Sequence, residues 1–132
     1  MGSKMSLRVA AVTIDCEDAL ALARFWSAAL ERPIDPGGSV EFASIGMREH
    51  RDLDGWSISD ADGPTWLFTR VPEPKVAKNR MHVDLAALEH ESAVTRLVEL
   101  GARRVMDMDE WGYRWTVLQD PEGNELCVAH LR

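Results

Sequence analysis

The chain reads as an α+β protein made of two tandem βαβββ modules, with a cavity where the modules face each other. Three observations predict this. An acidic turn occurs twice: Asp60-Ala61-Asp62-Gly63 leads into Pro64-Thr65-Trp66-Leu67-Phe68, and Asp120-Pro121-Glu122-Gly123 leads into Asn124-Glu125-Leu126-Cys127-Val128. A strand-to-helix passage also occurs twice. Val12-Thr13-Ile14-Asp15 precedes the helical run Leu20 to Leu30, and Val83-Asp84-Leu85-Ala86 precedes the run Ser92 to Leu100. Between the copies lies Pro72-Glu73-Pro74-Lys75-Val76-Ala77-Lys78-Asn79, whose two prolines and polar tail suit a linker and no regular element. Self-similarity at a fixed period is the mark of a repeated supersecondary unit.

The elements follow in order. Leu7 to Cys16 is β-branched and small-apolar, as a buried strand is. Asp18 is placed to cap the first helix. In that helix Leu22, Phe25, Trp26, Ala29 and Leu30 share one face, and Pro33 and Pro36-Gly37-Gly38 end it. Val40 to Ile45 alternates as a strand, and Gly46 to Leu53 is a charged loop. Trp56 to Ser59 and Thr65 to Val71 flank the first acidic turn as strands. In the second module Arg80 to Leu85 is a strand. Glu91 to Leu100 is a helix with Val94, Leu97 and Val98 inward, and Gly101 follows as its left-handed stop. Arg104 to Met108 and Arg114 to Leu118 are strands separated by Asp109 to Tyr113, and Glu125 to Ala129 closes the module. One domain, 7–130, with modules 7–71 and 80–130 and linker 72–79, accounts for the chain; residues 1–4 read as a cloning remnant before a start at Met5.

Bulk composition bounds the partners. A hydrophobic fraction of 45% supports a core, and a net charge of −7 speaks against tracking nucleic-acid phosphates, which needs a basic face. The acidity is otherwise a solubility property. No apolar run reaches the roughly 18 residues of a membrane span, and no signal peptide precedes the first strand. Cys16 and Cys127 form no disulfide framework. A cytoplasmic protein with no nucleic-acid or membrane partner is expected.

The residues that carry chemistry are mostly aromatic. There are five tryptophans, Trp26, Trp56, Trp66, Trp111 and Trp115. Trp26 falls on the helix face and suits the core. Trp56 and Trp66 flank the first turn. Tyr113 and Trp115 share a strand face with Val117 next, near Trp111, and together suit a pocket wall that stacks on flat or cationic ligands. The same aromatics suit a core equally well. Asp107, Asp109 and Glu110 offer either a negative rim beside Trp111 or a solvated loop. Lys75, Lys78 and Arg80 form the basic cluster, paired with Glu73 or Asp84, or available to a ligand carboxylate. His50 and His90 lie in polar segments and are expected to be exposed, and His130 sits at a frayed end. No serine lies in a nucleophile elbow, and Gly37-Gly38 is too short for a phosphate loop. Asp84, two residues from His82 on one strand, points parallel to it and does not simply make an acid–base pair.

Over residues 7–130 the chain resembles the vicinal oxygen chelate superfamily of glyoxalase I, bleomycin-resistance and extradiol dioxygenase proteins. The carrying motifs are the opening strand into Ala23-Arg24-Phe25-Trp26, Arg80-Met81-His82-Val83-Asp84-Leu85, and Asp120-Pro121-Glu122-Gly123-Asn124. Val71-Pro72-Glu73-Pro74-Lys75, with Lys78-Asn79-Arg80 and His82, looks like a glyoxalase-like branch of unassigned function. The resemblance implies two curled half-barrel sheets enclosing a shared cavity, and a homodimer. It also implies metal ligands on the first and last strands of each module. The repeat pairs Ala11 with His82 and Leu67 with Cys127, so the implied quartet is Ala11, Leu67, His82 and Cys127. Ala11 and Leu67 coordinate nothing, which leaves His82 and Cys127, with Glu125 reachable by a slip of two residues along the closing strand and Asp15 or Asp84 by a strand shift elsewhere. His82 otherwise reads as a hydrogen-bonded cavity or core histidine and Cys127 as a small buried hydrophobe.

Three functions follow. The first is a metal-independent binding or sequestering protein of the bleomycin-resistance type. It would confer antibiotic resistance or hold a metabolite, with Trp56, Trp66, His82, Trp111, Tyr113, Trp115 and Cys127 as ligand contacts and no cofactor. The second is a lyase, isomerase or dioxygenase that uses zinc, nickel, manganese or iron at His82 and Glu125. The third is an accessory module that docks a partner enzyme.

Overall fold

The computed structural model describes residues 7–47 and 63–131, with the backbone alone of 51–52 and 55–56. It divides into two compact units, Met1–Pro72 and Glu73–Arg132, and the division falls inside the predicted linker. Among the described residues, two helices and two principal sheets, of three and four strands, make it an α+β protein whose sheets are not closed into barrels. No helix among the described residues is long and apolar enough to cross a membrane.

The first unit contains β1 (Ala11–Cys16), α1 (Ala19–Leu30), β2 (Phe42–Ile45), β3 (Arg51–Asp52), β4 (Gly55–Trp56) and β5 (Thr65–Arg70). Strand β1 begins four residues later than its apolar run, because its parallel partner β5 begins only at Thr65, opposite Ala11. Leu7 and Val9 are left exposed. Asp18 caps α1, accepting from the Ala21 amide at 3.0 Å, and Glu31 ends it in the left-handed region, two residues before Pro33. The sheet order is β1-β5-β2, so β2 lies directly against β5. Of the predicted strand Trp56 to Ser59, Trp56 ends β4 and residues 57–59 lie outside the described residues. Gly55–Trp56 forms a small hairpin with Arg51–Asp52, which lies inside the segment expected to be loop. The outermost strand of this module shrinks to one bridge, Ile34↔Ile45, because Pro33, Pro36, Gly37 and Gly38 cannot sustain a ladder. Trp26, Phe68, Leu22 and Ile45 fill the core under α1.

The second unit is the fuller copy: β6 (Val83–Ala87), α2 (His90–Leu100), β7 (Arg103–Glu110), β8 (Tyr113–Gln119) and β9 (Glu125–His130), in the sheet order β6-β9-β8-β7. Its first and last strands are parallel with Val83 opposite Leu126, as Val12 is opposite Trp66 in the first unit. The repeat pairs Val12 with Val83 and Trp66 with Leu126, so both modules share one register. Gly63 and Gly123, the last residues of the two acidic turns, also share a positive φ, 78° and 87°. Gly101 ends α2 through bonds from its amide to the carbonyls of Leu97 and Val98. Val94 and Leu97 are buried as expected, whereas Val98 is 43% exposed and His90 takes the inward position instead.

Candidate ligand cavity

Strand alternation gives the four-stranded sheet two faces. On one face Thr116, Leu118, Leu126 and Val128 are buried, and α2 packs against this sheet with His90, Val94 and Leu97. On the other face the sheet lines a cavity of about 1130 Å³. That volume lies just above the range of small-molecule sites. The register builds its wall in rows. Asp84 is opposite Cys127, Cys127 opposite Val117, and Val117 opposite Met106. The next row runs from Ala129 to Trp115 to Met108. The described residues that line it belong to the second unit.

The aromatic wall comes from the β7–β8 hairpin. The expected five-residue gap from Asp109 to Tyr113 is a two-residue turn, Trp111-Gly112, with φ of 54° and 80°. Two positive φ values in succession are the signature of the hairpin turn that matches strand twist and usually carries Asn-Gly. A tryptophan in the first position costs on the order of 1 kcal/mol, since Cβ crowds the following carbonyl. Trp111 is also 82% exposed, and Tyr113 is 69% exposed. Neither the turn nor the core explains this residue. It does line the cavity, and its ring lies within 16° of parallel to Trp115, with centroids 6.5 Å apart.

The polar end is the row His82, Asp84 and Cys127. His82 Nδ1 lies 2.9 Å from Asp84 Oδ1, so the two do pair, contrary to the parity expectation. The reason is that β6 begins at Val83, and His82 is not held to strand geometry. A carboxylate only accepts, so Nδ1 donates and Nε2 is the nitrogen left for a ligand. Cys127 is buried; burial first, and then the Asp84 carboxylate, push its thiol up, away from the reactive thiolate.

The linker forms a third side. Lys75 Nζ donates to Glu125 Oε1 at 3.1 Å and to the Ala77 carbonyl at 2.6 Å. The Asn79 amide donates to Glu125 Oε2 at 3.0 Å, and Asn79 Nδ2 to Asn124 Oδ1. Lys75 thus pairs with neither Glu73 nor Asp84. Burial raises the Glu125 carboxyl, but Asn79 and Lys75 outweigh it and hold it below the usual range. Both oxygens of Glu125 thus accept hydrogen bonds from the linker, and Glu125 is not part of the His82, Asp84 and Cys127 group.

The remaining sequence candidates separate. Trp66 is 6% exposed and stacks on Trp26 at 4.8 Å, in the core of the first unit. The Trp56 side chain and His50 lie outside the described residues. His90 is buried, not exposed. Its Nε2 faces the Val128 carbonyl at 3.2 Å and Thr116 Oγ1 at 3.1 Å. Thr116 in turn donates to Asp107, which also accepts from Arg104. His130 is not frayed: it ends β9 opposite Ala87 and stacks on His90. Asp107 is thereby bonded to Thr116 and Arg104, and neither it nor Asp109 or Glu110 is among the residues that line the cavity. Sequence reasoning missed Met106 and Met108 as wall residues, although the alternation Met106-Asp107-Met108 carries the signal.

Imidazole, carboxylate and thiol are the donors a soft divalent ion takes, and one such atom from each of His82, Asp84 and Cys127 lies within 4.8 Å of the others. They fit an open three-donor site, one ligand short of a closed one.

A glyoxalase-like domain model matches residues 11–129. No curated protein matches the sequence. Among solved structures, a glyoxalase/bleomycin resistance protein/dioxygenase family enzyme from Burkholderia phytofirmans is similar at 13% identity and a TM-score of 0.67, covering 93% of this chain and 98% of its own. A bleomycin-binding protein from Streptomyces verticillus, complexed with copper(II)-bleomycin, is similar at 14% identity and 0.59, covering 97% and 99%. TioX from Micromonospora sp. ML1 is similar at 16% identity and 0.59, covering 93% and 98%. At these identities the likeness is one of fold.

Proposed function

The chain belongs to the glyoxalase-like domain family of the vicinal oxygen chelate superfamily, and we propose that within it the protein is a metal-independent binder of flat aromatic small molecules. One observation carries this reading: Trp111, exposed and held in a left-handed turn, faces the cavity parallel to Trp115. Strain and exposure both oppose folding, so the residue serves something other than the fold. Tyr113, Met106 and Met108 extend the apolar wall, and methionine adapts to irregular ligands. The bleomycin-binding neighbour gives the reading a precedent on this fold. A thermal-shift panel of planar aromatics on chelator-treated protein tests it. Binding raises the melting temperature by mass action, and a panel that leaves it unmoved contradicts the reading.

A second reading rests on the grouping of His82, Asp84 and Cys127. A divalent ion held there would supply Lewis-acid polarisation to a substrate with two neighbouring oxygens, as in a lyase, isomerase or dioxygenase. Elemental analysis after incubation with zinc, nickel, manganese or iron and dialysis tests it. One retained ion per chain favours this reading, and its loss in Cys127→Ser would place the ion at this row.

A further inference from the structure

We propose that the cavity selects aromatic acids: the ring stacks on the Trp111–Trp115 wall while a carboxylate or phenolate is held by Lys78. The proposal rests on the binding reading above and adds the charge of the ligand.

The charge of the lining runs against the charge of the chain. The protein carries −7, yet Lys75, Lys78 and Arg114 outnumber Asp84 and Glu125 around the cavity. Both carboxylates already have partners. Glu125 is bonded by Lys75 and Asn79, and Asp84 by His82. Among the described residues, Lys78 and Arg114 have no ion-pair partner. An unpaired lysine on a free linker would simply be solvated, but this linker is fastened on both sides of Lys78. Lys75 is tied to Glu125 and to the Ala77 carbonyl, and Asn79 is tied to Glu125 and Asn124. A pinned backbone reduces the ordering cost of presenting the side chain. Lys78 also lines the same cavity as His82, Asp84 and Cys127. One cavity thus holds an unpaired lysine on its linker side and the two indoles on its sheet wall. A flat ligand with an acidic group at one end matches that arrangement, and a flat cation does not.

The test compares three probes of one shape, naphthoate, naphthamide and naphthylmethylammonium, by calorimetry on chelator-treated protein. The expected order is acid, then amide, then cation, with the acid at least about tenfold tighter than the amide, the scale of a hydrogen bond to a charged group. That preference shrinks in about 1 M salt, where the screening length falls to about 3 Å. Lys78→Gln brings the acid-to-amide ratio towards one. Equal affinities, or a preference for the cation, overturn the anion proposal and leave aromatic binding standing. An unchanged ratio in Lys78→Gln, or its loss in Arg114→Gln alone, overturns the assignment to Lys78. If no probe binds, the binding reading falls and this proposal falls with it.

Discussion

Four of the five tryptophans have described side chains, and their fates differ. Trp26 and Trp66 stack in a core, whereas Trp111 and Trp115 form a cavity wall. The contrast is testable. Trp66→Ala removes a buried ring and should cost about 3–5 kcal/mol in a denaturant melt. Trp111→Asn should act the other way, stabilising by about 1 kcal/mol because asparagine accepts the left-handed turn, while weakening naphthoate binding at least about tenfold. A variant that loses both stability and binding would mean that Trp111 packs and does not bind. At this scale the sequence was partly legible. Strand parity placed Tyr113, Trp115 and Val117 on one wall, because alternation is a local rule. It could not separate Trp66 from Trp111, since burial depends on partners far along the chain. It also misjudged His90, whose polar neighbours suggested exposure; its partners Thr116 and Val128 come from strands 26 and 38 residues on.

At the scale of elements, helix α2 is joined to β7 through Arg104, which donates to both oxygens of Glu91 and to Asp107. The guanidinium holds both carboxyls below their ordinary values of 4.5 and 3.8. A carboxyl lowered on folding stabilises the fold above its unfolded pKa, and that contribution is lost as pH falls through the folded one. Stability should therefore decline below about pH 4.5, and Arg104→Met should flatten that acid limb; an unchanged limb would show that the pairs contribute nothing in solution. The groups are exposed, so the effect is modest and salt-sensitive. The linker behaves as a second element. Glu125→Ala should speed hydrogen exchange at the Asn79 amide, whose acceptor it removes, and leave the amides of β8 unchanged. Proline spacing correctly marked residues 72–79 as irregular, but irregular did not mean loose. The side-chain bonds that fasten it span 45 to 50 residues, beyond any local pattern.

At the scale of the molecule, the repeat was the most legible feature, because a duplicated unit repeats its turn chemistry and its register together. Gly63 with Gly123, and Val12 with Val83, carry that duplication into the structure. What the repeat hid was its own divergence. Among the described residues, the first module's sheet has three strands with Ile34 adding a single bridge, beside the separate pair Arg51–Asp52 and Gly55–Trp56, while the second module's sheet has four. The resemblance to metal enzymes singled out His82 and Cys127, with Asp84 reachable only by a strand shift, and the structure places donor atoms of all three within 4.8 Å of one another. Ligand at about 100 times its Kd should raise stability by about 2.7 kcal/mol if the cavity binds it. The most direct measurement is a calorimetric titration of naphthoate into chelator-treated protein, run beside Trp111→Ala. The account predicts one saturable site per chain without metal, lost or strongly weakened in the variant. Heat that appears only after zinc is added, or binding unchanged in Trp111→Ala, would contradict it.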